Sequence, residues 1–299
     1  IWGNDFLGHG KIQVMKKFGT KAGMSDLAIV LGGIRQGSYG DNDGRQPGCI
    51  WSASSDGDGN VRCVTDGKRS SFQCSFRRSN SARPALSSLV TASIDPSEIK
   101  LTRNIGDLQV VEYGEYPQTI APENVSIVLE SAFLKRQLKT TGKTYTFDGE
   151  DCEAERKPFK AAAYGEYQYN GKRYIHIEAR PTDKNCVKDS VLSTGHKLQT
   201  GEPCWIEVQP IEWLQDPCGV MVARQALFAG IQFDCKKPYD GNFEKTDMKR
   251  YLQNYFAKEM VVGRNAGIPA AVIDTKTASL AKNMAAQRQR ALDDPSQGI

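Results

Sequence analysis

The chain has 299 residues, of which 39% are hydrophobic and 25% charged, and its formal net charge is +4 at pH 7. This composition supports a packed core and excludes a fibrous or wholly disordered protein. Mean hydropathy is −0.50, and no apolar run approaches the roughly 18 residues that a membrane-spanning helix needs.

The first third of the chain predicts two short helices followed by strands. Ile12, Met15 and Phe18 share one helical face, and Gly19 ends that helix. Ser25 is a natural N-cap for the second helix, which Gly32-Gly33 ends. A polar loop then covers residues 35–48, and strands are predicted at 48–54, 60–64 and 71–76, the last two joined through the turn dipeptide Asp66-Gly67.

The middle of the chain begins with a boundary, because residues 91–107 are polar and contain Asp95-Pro96. A strand is predicted at 108–119, ended by Pro117. A helix is predicted at 124–138, closed by Gly142 and followed by a strand at 143–148. The apolar stripe of this helix consists of Val125, Val128, Leu129, Ala132 and Phe133.

The clearest signal in the last part is a hairpin at 166–179, where Asn170-Gly171 has the chemistry of a type I′ turn. Strands at 204–214 and 219–227 are predicted to pair across Asp216-Pro217. Residues 244–260 form an amphipathic helix that Thr246 caps. Residues 263–299 carry only a thin apolar stripe, which indicates a tail or docking helix rather than a self-supporting one.

One tetrapeptide occurs twice. Tyr113-Gly114-Glu115-Tyr116 recurs as Tyr164-Gly165-Glu166-Tyr167, and both copies fall on predicted strands. The repeat has two possible explanations, which are chance and a structural relationship between the two strands.

An ordered set of short motifs resembles an uncharacterised family of bacterial and phage proteins with a C-type-lectin-like fold, near the sulfatase-modifying-factor branch of that fold. The pieces that match the opening of a typical member are Tyr164-Gly165-Glu166-Tyr167, Pro210-Ile211-Glu212-Trp213 and the helix around Tyr251 to Phe256. The pieces that match its end are Ser25-Asp26-Leu27-Ala28, Trp51-Ser52, Val61 to Val64, Asp66-Gly67 and Arg83-Pro84-Ala85-Leu86. Together they cover about two-thirds of the chain.

The order of these pieces departs from the family, because the closing set precedes the opening set. The resemblance therefore implies an α+β fold with lectin-like mixed or antiparallel sheets and flanking helices, in a permuted arrangement where residues 11–90 complete a sheet with 160–260. Two separate, degenerate copies are the alternative. The predicted division is a closing half at 1–105, a β-rich unit with the opening half at 106–262, and a C-terminal helical tail at 263–299.

Calcium and sugar chemistry have weak support. Residues 56–60 (DGDGN) begin like a calcium loop, but Val61 and Gly67 occupy the positions that need Gly and Glu. Sugar-binding lectins of this fold use Glu-Pro-Asn and Trp-Asn-Asp motifs. This chain matches them only in part, at Glu202-Pro203-Cys204 and in the segment 2–5 (WGND).

No catalytic set emerges from the remaining polar residues. His176 is interpreted as a cross-strand or surface residue, and His9 and His196 as loop residues. Glu207 and Glu212 fit a solvated strand face. The relatives' copper-dependent cysteine pair has no equivalent among Cys204, Cys218 and Cys235, and the eight cysteines fit small buried side chains, with one or two disulfides as the alternative.

We therefore assign no catalytic, cofactor-binding or metal-binding residue. Lys68-Arg69 and Arg77-Arg78 lie near Phe72 and Phe76, but a net charge of +4 favours a solvated face over nucleic-acid binding.

The expected function is a non-enzymatic binding or structural module, a subunit of a phage virion or bacterial surface particle that presents the loops 35–48 and 77–84 to other protein subunits or to a cell-surface glycan. The alternatives are an enzyme of sulfatase-modifying or hydrolase type and a calcium-dependent lectin. Residues 1–10 lack signal-peptide features, which leaves a virion, the bacterial cytoplasm and the cell surface open as locations.

Overall fold

The computed structural model describes residues 23–32, 49–55, 61–65, 71–74, 79–86, 88–148, 159–180, 191–234 and 242–261. These residues belong to one compact unit, Ile1–Val262, and a second unit, Gly263–Ile299, lies outside the described residues. The predicted helix at 11–19, the loop at 35–48 and the tail at 263–299 therefore lie outside the described part of the chain.

The described part is α+β, with many strands and few helices. The strands are β1 (Gly23–Met24), β2 (Cys49–Ser55), β3 (Val61–Thr65), β4 (Ser71–Cys74), β5 (Ser79–Ala82), β6 (Ala85–Leu86), β7 (Lys100–Ile105), β8 (Leu108–Ile120), β9 (Lys139–Asp148), β10 (Ala161–Tyr169), β11 (Lys172–Glu178), β12 (Pro203–Gln215), β13 (Met221–Ala223), β14 (Gln225–Ala226) and β15 (Phe228–Gln232).

The helical elements are short. The α-helices are α1 (Asp26–Val30), α2 (Ser88–Ala92), α3 (Glu123–Leu134), α4 (Asp247–Tyr251) and α5 (Ala257–Glu259), with a π-helical turn at Leu252–Phe256 and 3₁₀ turns at Pro96–Glu98 and Phe243–Lys245. None of the described helices is long and apolar enough to cross a lipid bilayer.

The larger sheet has eight strands and is built around β12. Along one edge of β12 runs β8, which also pairs with β7. The other edge pairs with β11 at the start of β12 and with β13 at its end, and the sheet continues to β10 and β9 on one side and to β6 on the other. All of these pairs are antiparallel.

Segments from the two ends of the described chain pair with each other in three places. In the larger sheet β6 pairs with β13, and in a five-stranded sheet of order β15-β5-β2-β3-β4 the late strand β15 pairs with β5. The short strand β1 pairs in parallel with β14. Strand pairing between residues 11–90 and 160–260, which the permuted arrangement requires, is therefore present.

The larger sheet buries both faces near its centre. Because side chains alternate along a strand, Tyr174 and Trp205 lie on one face, beneath α3, whereas Ile175 and Ile206 lie on the other, in the main core. That core also contains the side chains of α1 and of the helical segment 247–259. We call the α3 side the outer face and the opposite side the inner face.

Several local predictions are confirmed. The Ser25 side chain caps α1 by accepting a bond from Ala28 N at 3.0 Å, and Thr246 caps α4 by accepting from Lys249 N at 3.1 Å. The hairpin β10–β11 turns through Asn170 (φ 47°) and Gly171 (φ 76°), the left-handed backbone that a type I′ turn needs. Strands β12 and β13 pair as predicted.

The end of the predicted helix at 124–138 was placed wrongly. Helix α3 stops at Leu134, where Arg136 takes a positive φ of 56° and Gln137 N donates to Ala132 O at 2.8 Å, which is a Schellman closure. Gly142, predicted as the stop, lies inside β9 instead. The predicted stripe is also wrong at Val128, which is 44% exposed, although Leu129 is fully buried.

Pro117 was predicted to end a strand, but β8 continues to Ile120. A proline cannot donate to the ladder, and the register between β8 and β12 shifts between Glu207 and Val208, next to the Pro117–Val208 pair. This irregularity accommodates the missing donor, so the strand is bent rather than terminated.

Candidate functional site

The two Tyr-Gly-Glu-Tyr motifs meet at one arginine. Glu115 of β8 and Glu166 of β10 both face Arg173 of β11, whose guanidinium lies 2.5 Å from a Glu115 oxygen and 3.9 Å from a Glu166 oxygen. Arg173 is about 30% exposed, whereas Glu166 is 2% exposed. The two copies of the tetrapeptide thus bring their glutamates to one arginine of the same sheet. We call this group the Arg173 cluster, which also includes Thr141, Lys143, Tyr145 and Glu259.

Glu166 is stabilised by hydroxyl groups of β9. Tyr145 Oη donates to one Glu166 oxygen at 2.9 Å, and Thr141 Oγ1 donates to the other at 2.8 Å. A buried carboxylate is costly unless it is hydrogen-bonded or paired, and Glu166 has two hydroxyl donors in addition to Arg173. Its side chain therefore joins β9, β10 and β11.

Irregularities in the strand ladders lie at both motifs. The register of β8 against β12 shifts across Tyr113-Gly114, and that of β10 against β9 shifts between Gly165 and Tyr167. Such bulges redirect side chains. At Gly114 (φ 68°) a Cβ atom would lie only 2.7 Å from the carbonyl oxygen of Met260, so a glycine is required there. The same carbonyl accepts a bond from Glu115 N at 2.7 Å.

Burial shifts the titration of the groups around Arg173. Desolvation lowers the pKa of Lys143, against the opposing effect of Glu166 and Glu115. Desolvation also raises the pKa of Glu259, although its carboxylate accepts a bond from Thr146 N at 3.0 Å. The pKa of Tyr145 is raised well above its ordinary range, first by burial and then by the neighbouring Glu166.

The Arg173 cluster therefore contains three carboxylates and two cations at one end of the inner face. Most of its polar atoms already bind one another, so it can tie β8, β9, β10 and β11 to the C-terminal helical segment. Shifted pKa values in one cluster are also typical of catalytic sites, which makes it the strongest candidate for chemistry in the described residues. Within those residues, no group of His, Cys, Asp and Glu is arranged to hold a metal ion.

A second cluster lies on the outer face, beneath α3. His176 of β11 is the cross-strand partner of Trp205 of β12, with ring centroids 4.8 Å apart, and Phe133 of α3 covers both rings. Glu130 Oε2 accepts a bond from Trp205 Nε1 at 2.9 Å and lies 3.1 Å from His176 Nε2. Of the two positions predicted for His176, surface and cross-strand, the structure shows the cross-strand one, and the contacts hold α3 in a fixed rotation.

The opposite side of α3 is apolar and exposed. Leu134 is 74% and Ile127 63% exposed, with Val128 beside them. Ser131, which is also exposed, lies between Ile127 and Leu134 on the helix surface. We call these four residues the α3 outer stripe. The sequence does not reveal this stripe, because helical periodicity identifies one apolar stripe and this helix has two.

The other candidate side chains are in separate surface contacts. His196 pairs with Glu202 at 2.6 Å in an exposed loop. Glu207 pairs with Lys172 at 2.9 Å, whereas Glu212 lies between Arg103 and Arg224. The two glutamates therefore bind different cations and do not form a carboxylate pair.

Cys204 lies at the start of β12, whereas Cys218 follows three residues beyond its end. A strand of 13 residues extends about 40 Å, so these two thiols cannot act as a pair. Cys204 lies in the main core, where burial raises its pKa to about 12. For this residue the interpretation as a small buried side chain is confirmed.

One predicted binding loop is partly wrong. Within 77–84, residues Ser79–Ala82 form β5, and Arg83 is buried with its Nε donating to Ala223 O at 2.5 Å. The segments 2–5 and 56–60, the basic pairs at 68–69 and 77–78, His9 and Cys235 lie outside the described residues.

Comparison of the chain with protein-family models, with curated proteins and with solved structures finds no match.

Proposed function

We propose that this protein is a non-enzymatic binding or structural module that acts as a subunit of a larger assembly, such as a phage virion or a bacterial surface particle. The observation that carries this proposal is the α3 outer stripe, where large apolar side chains are exposed on a helix that is firmly attached to the sheet. Exposed apolar patches on regular elements mark contacts with other macromolecules.

The architecture supports the same proposal. Strands from the early and late parts of the chain pair in both larger sheets, which is consistent with a permuted lectin-like scaffold. Within the described residues β7 pairs only with β8 and forms an edge of the larger sheet. Lys100 and Arg103 on β7 form ion pairs with Glu112 and Glu212, and such charges discourage unspecific pairing of an edge strand.

The test is the size of the native protein in an extract of its source cell. The full chain should migrate as a species larger than its 33.0 kDa mass, and the double variant Ile127→Glu, Leu134→Glu should migrate as a smaller species. A wild-type chain that runs as a monomer in the extract would refute the proposal.

A hydrolase is the second candidate, because the Arg173 cluster brings together Glu115, Glu166 and Glu259, the last with a raised pKa. It ranks second because Glu115 and Glu166 are already bound by Arg173. Hydrolysis of chromogenic glycoside or ester substrates by the wild type, lost in Glu166→Gln and in Glu259→Gln, would support it over the binding module. A rate equal in wild type and variants would exclude it.

A further inference from the structure

We propose that the α3 outer stripe is an interface between two copies of this chain, whose α3 helices pack antiparallel about a two-fold axis near Ser131. This inference rests on the proposed function and names the partner that the stripe binds.

The first argument is the rotation of α3. Leu129 and Phe133 point into the outer-face cluster, and Glu130 binds Trp205. Since residues are 100° apart around a helix, Ile127, Ser131 and Leu134 fall directly opposite Leu129. Within the described residues α3 packs only the stripe with Leu129 and Phe133 against the sheet, and the outer stripe stays exposed and open to a second copy.

The second argument is shape. Ser131 is the smallest residue of the stripe and lies between the two largest, Ile127 and Leu134. A small residue at the crossing point lets a second helix approach closely while larger side chains interlock on either side. In an antiparallel second copy, Ile127 of one chain lies at the same height along the helix axis as Leu134 of the other. The stripe is therefore complementary to itself.

The third argument is charge. Glu123 lies in the first turn of α3, and Lys135 and Arg136 follow its last turn. Measured along the helix axis, an antiparallel second copy brings each acidic end to within about one helical turn of the other basic end, and it also aligns the helix dipoles favourably. A parallel copy would place like charges together. The charge pattern therefore selects a second copy in the antiparallel orientation.

The interface is small. A helix of 12 residues is about 18 Å long, and a pair of such helices covers less than the roughly 800 Å² per partner of a standard interface. We therefore expect a dissociation constant of about 1–100 µM.

The experiment is sedimentation analysis of the purified full chain from about 1 to about 300 µM. The expected result is a concentration-dependent equilibrium between a species of 33.0 kDa and its dimer. Leu134→Glu should raise the dissociation constant at least about 30-fold. Leu101→Glu is the matched control, because Leu101 is 54% exposed on β7, and it should leave the constant unchanged.

Charge reversal tests the orientation. Glu123→Lys and Lys135→Glu should each weaken the dimer about 3- to 10-fold, and the two changes combined in one chain should restore it. Failure of the combined variant to recover would overturn the antiparallel arrangement.

Two further results would overturn the inference. One is a wild type that stays monomeric at every concentration, and the other is a dimer that Leu101→Glu disrupts and Leu134→Glu does not. These outcomes are separable from the proposed function. A purified monomer that migrates as a larger species in the source-cell extract would leave that function standing and exclude self-association as its basis.

Discussion

The carboxylate of Asp26 provides the sharpest test of how the early and late parts of the chain are joined. Asp26 is 2% exposed at the start of α1. Its oxygens accept bonds from Ile120 N at 3.0 Å, from Ser193 N at 2.7 Å and from Ser193 Oγ at 2.5 Å. One side chain therefore fixes α1 to the end of β8 and to the loop before β12.

Asp26→Asn changes the charge and one acceptor but almost no volume, so it leaves no cavity. The NH₂ group of the asparagine replaces one of the two carboxylate oxygens. In one orientation it faces the backbone N–H of Ser193, and in the other that of Ile120, and the N–H that it faces has no acceptor. The loss of a hydrogen bond to a charged group lowers the free energy of unfolding by about 1.5–3 kcal/mol. The neutral amide also avoids the desolvation cost of a buried carboxylate, and this gain offsets part of the loss. We expect a loss of about 1.5–3 kcal/mol in the free energy of unfolding.

The assay is equilibrium unfolding in urea, with the midpoint and slope fitted for wild type and variant. Asp95→Asn is the control, because the exposed Asp95 also accepts two bonds, from Ser97 N and Ser97 Oγ. Asparagine caps as well as aspartate, so the control should leave the unfolding midpoint nearly unchanged. A loss below about 1 kcal/mol for Asp26→Asn would refute the assignment of this carboxylate as a junction.

Three further predictions concern other buried groups. Glu115→Gln and Glu166→Gln should be less than additive by at least about 0.5 kcal/mol in a double-mutant cycle, because both carboxylates act on Arg173; additive losses would show that the two motifs are independent. Because burial raises the pKa of Glu259 above 4.5, its protonated form favours folding, and this contribution is lost as pH rises through the folded-state pKa. In urea melts, the free energy of unfolding of Glu259→Gln should therefore increase relative to that of wild type as the pH rises from 4.5 to neutrality. A difference between variant and wild type that stays constant across that range would contradict the raised pKa. With a pKa of about 12, the Cys204 thiol should be alkylated by iodoacetamide at least about tenfold more slowly in the folded protein than in urea, as followed by peptide mapping at neutral pH, and equal rates would contradict its burial.

The sequence alone determined the features that depend on a few neighbouring residues. Ser25 and Thr246 are N-caps because a hydroxyl can reach a backbone N–H three residues later. Asn170-Gly171 forms the hairpin turn because both residues accept positive φ. Local chemistry was insufficient at the end of α3, where Arg136 adopts a conformation that sequence rules reserve for glycine or asparagine.

Only the tertiary structure decided which distant residues meet. The repeated tetrapeptide suggested a relationship between two strands, but its common partner Arg173 lies on a third strand. Likewise, the sequence predicted the stripe of α3 that faces the sheet, apart from Val128, but only the tertiary structure shows that a second apolar stripe faces away from it. Contacts of this kind depend on how all strands pack together, because each one contributes only a small part of the stability that selects the fold.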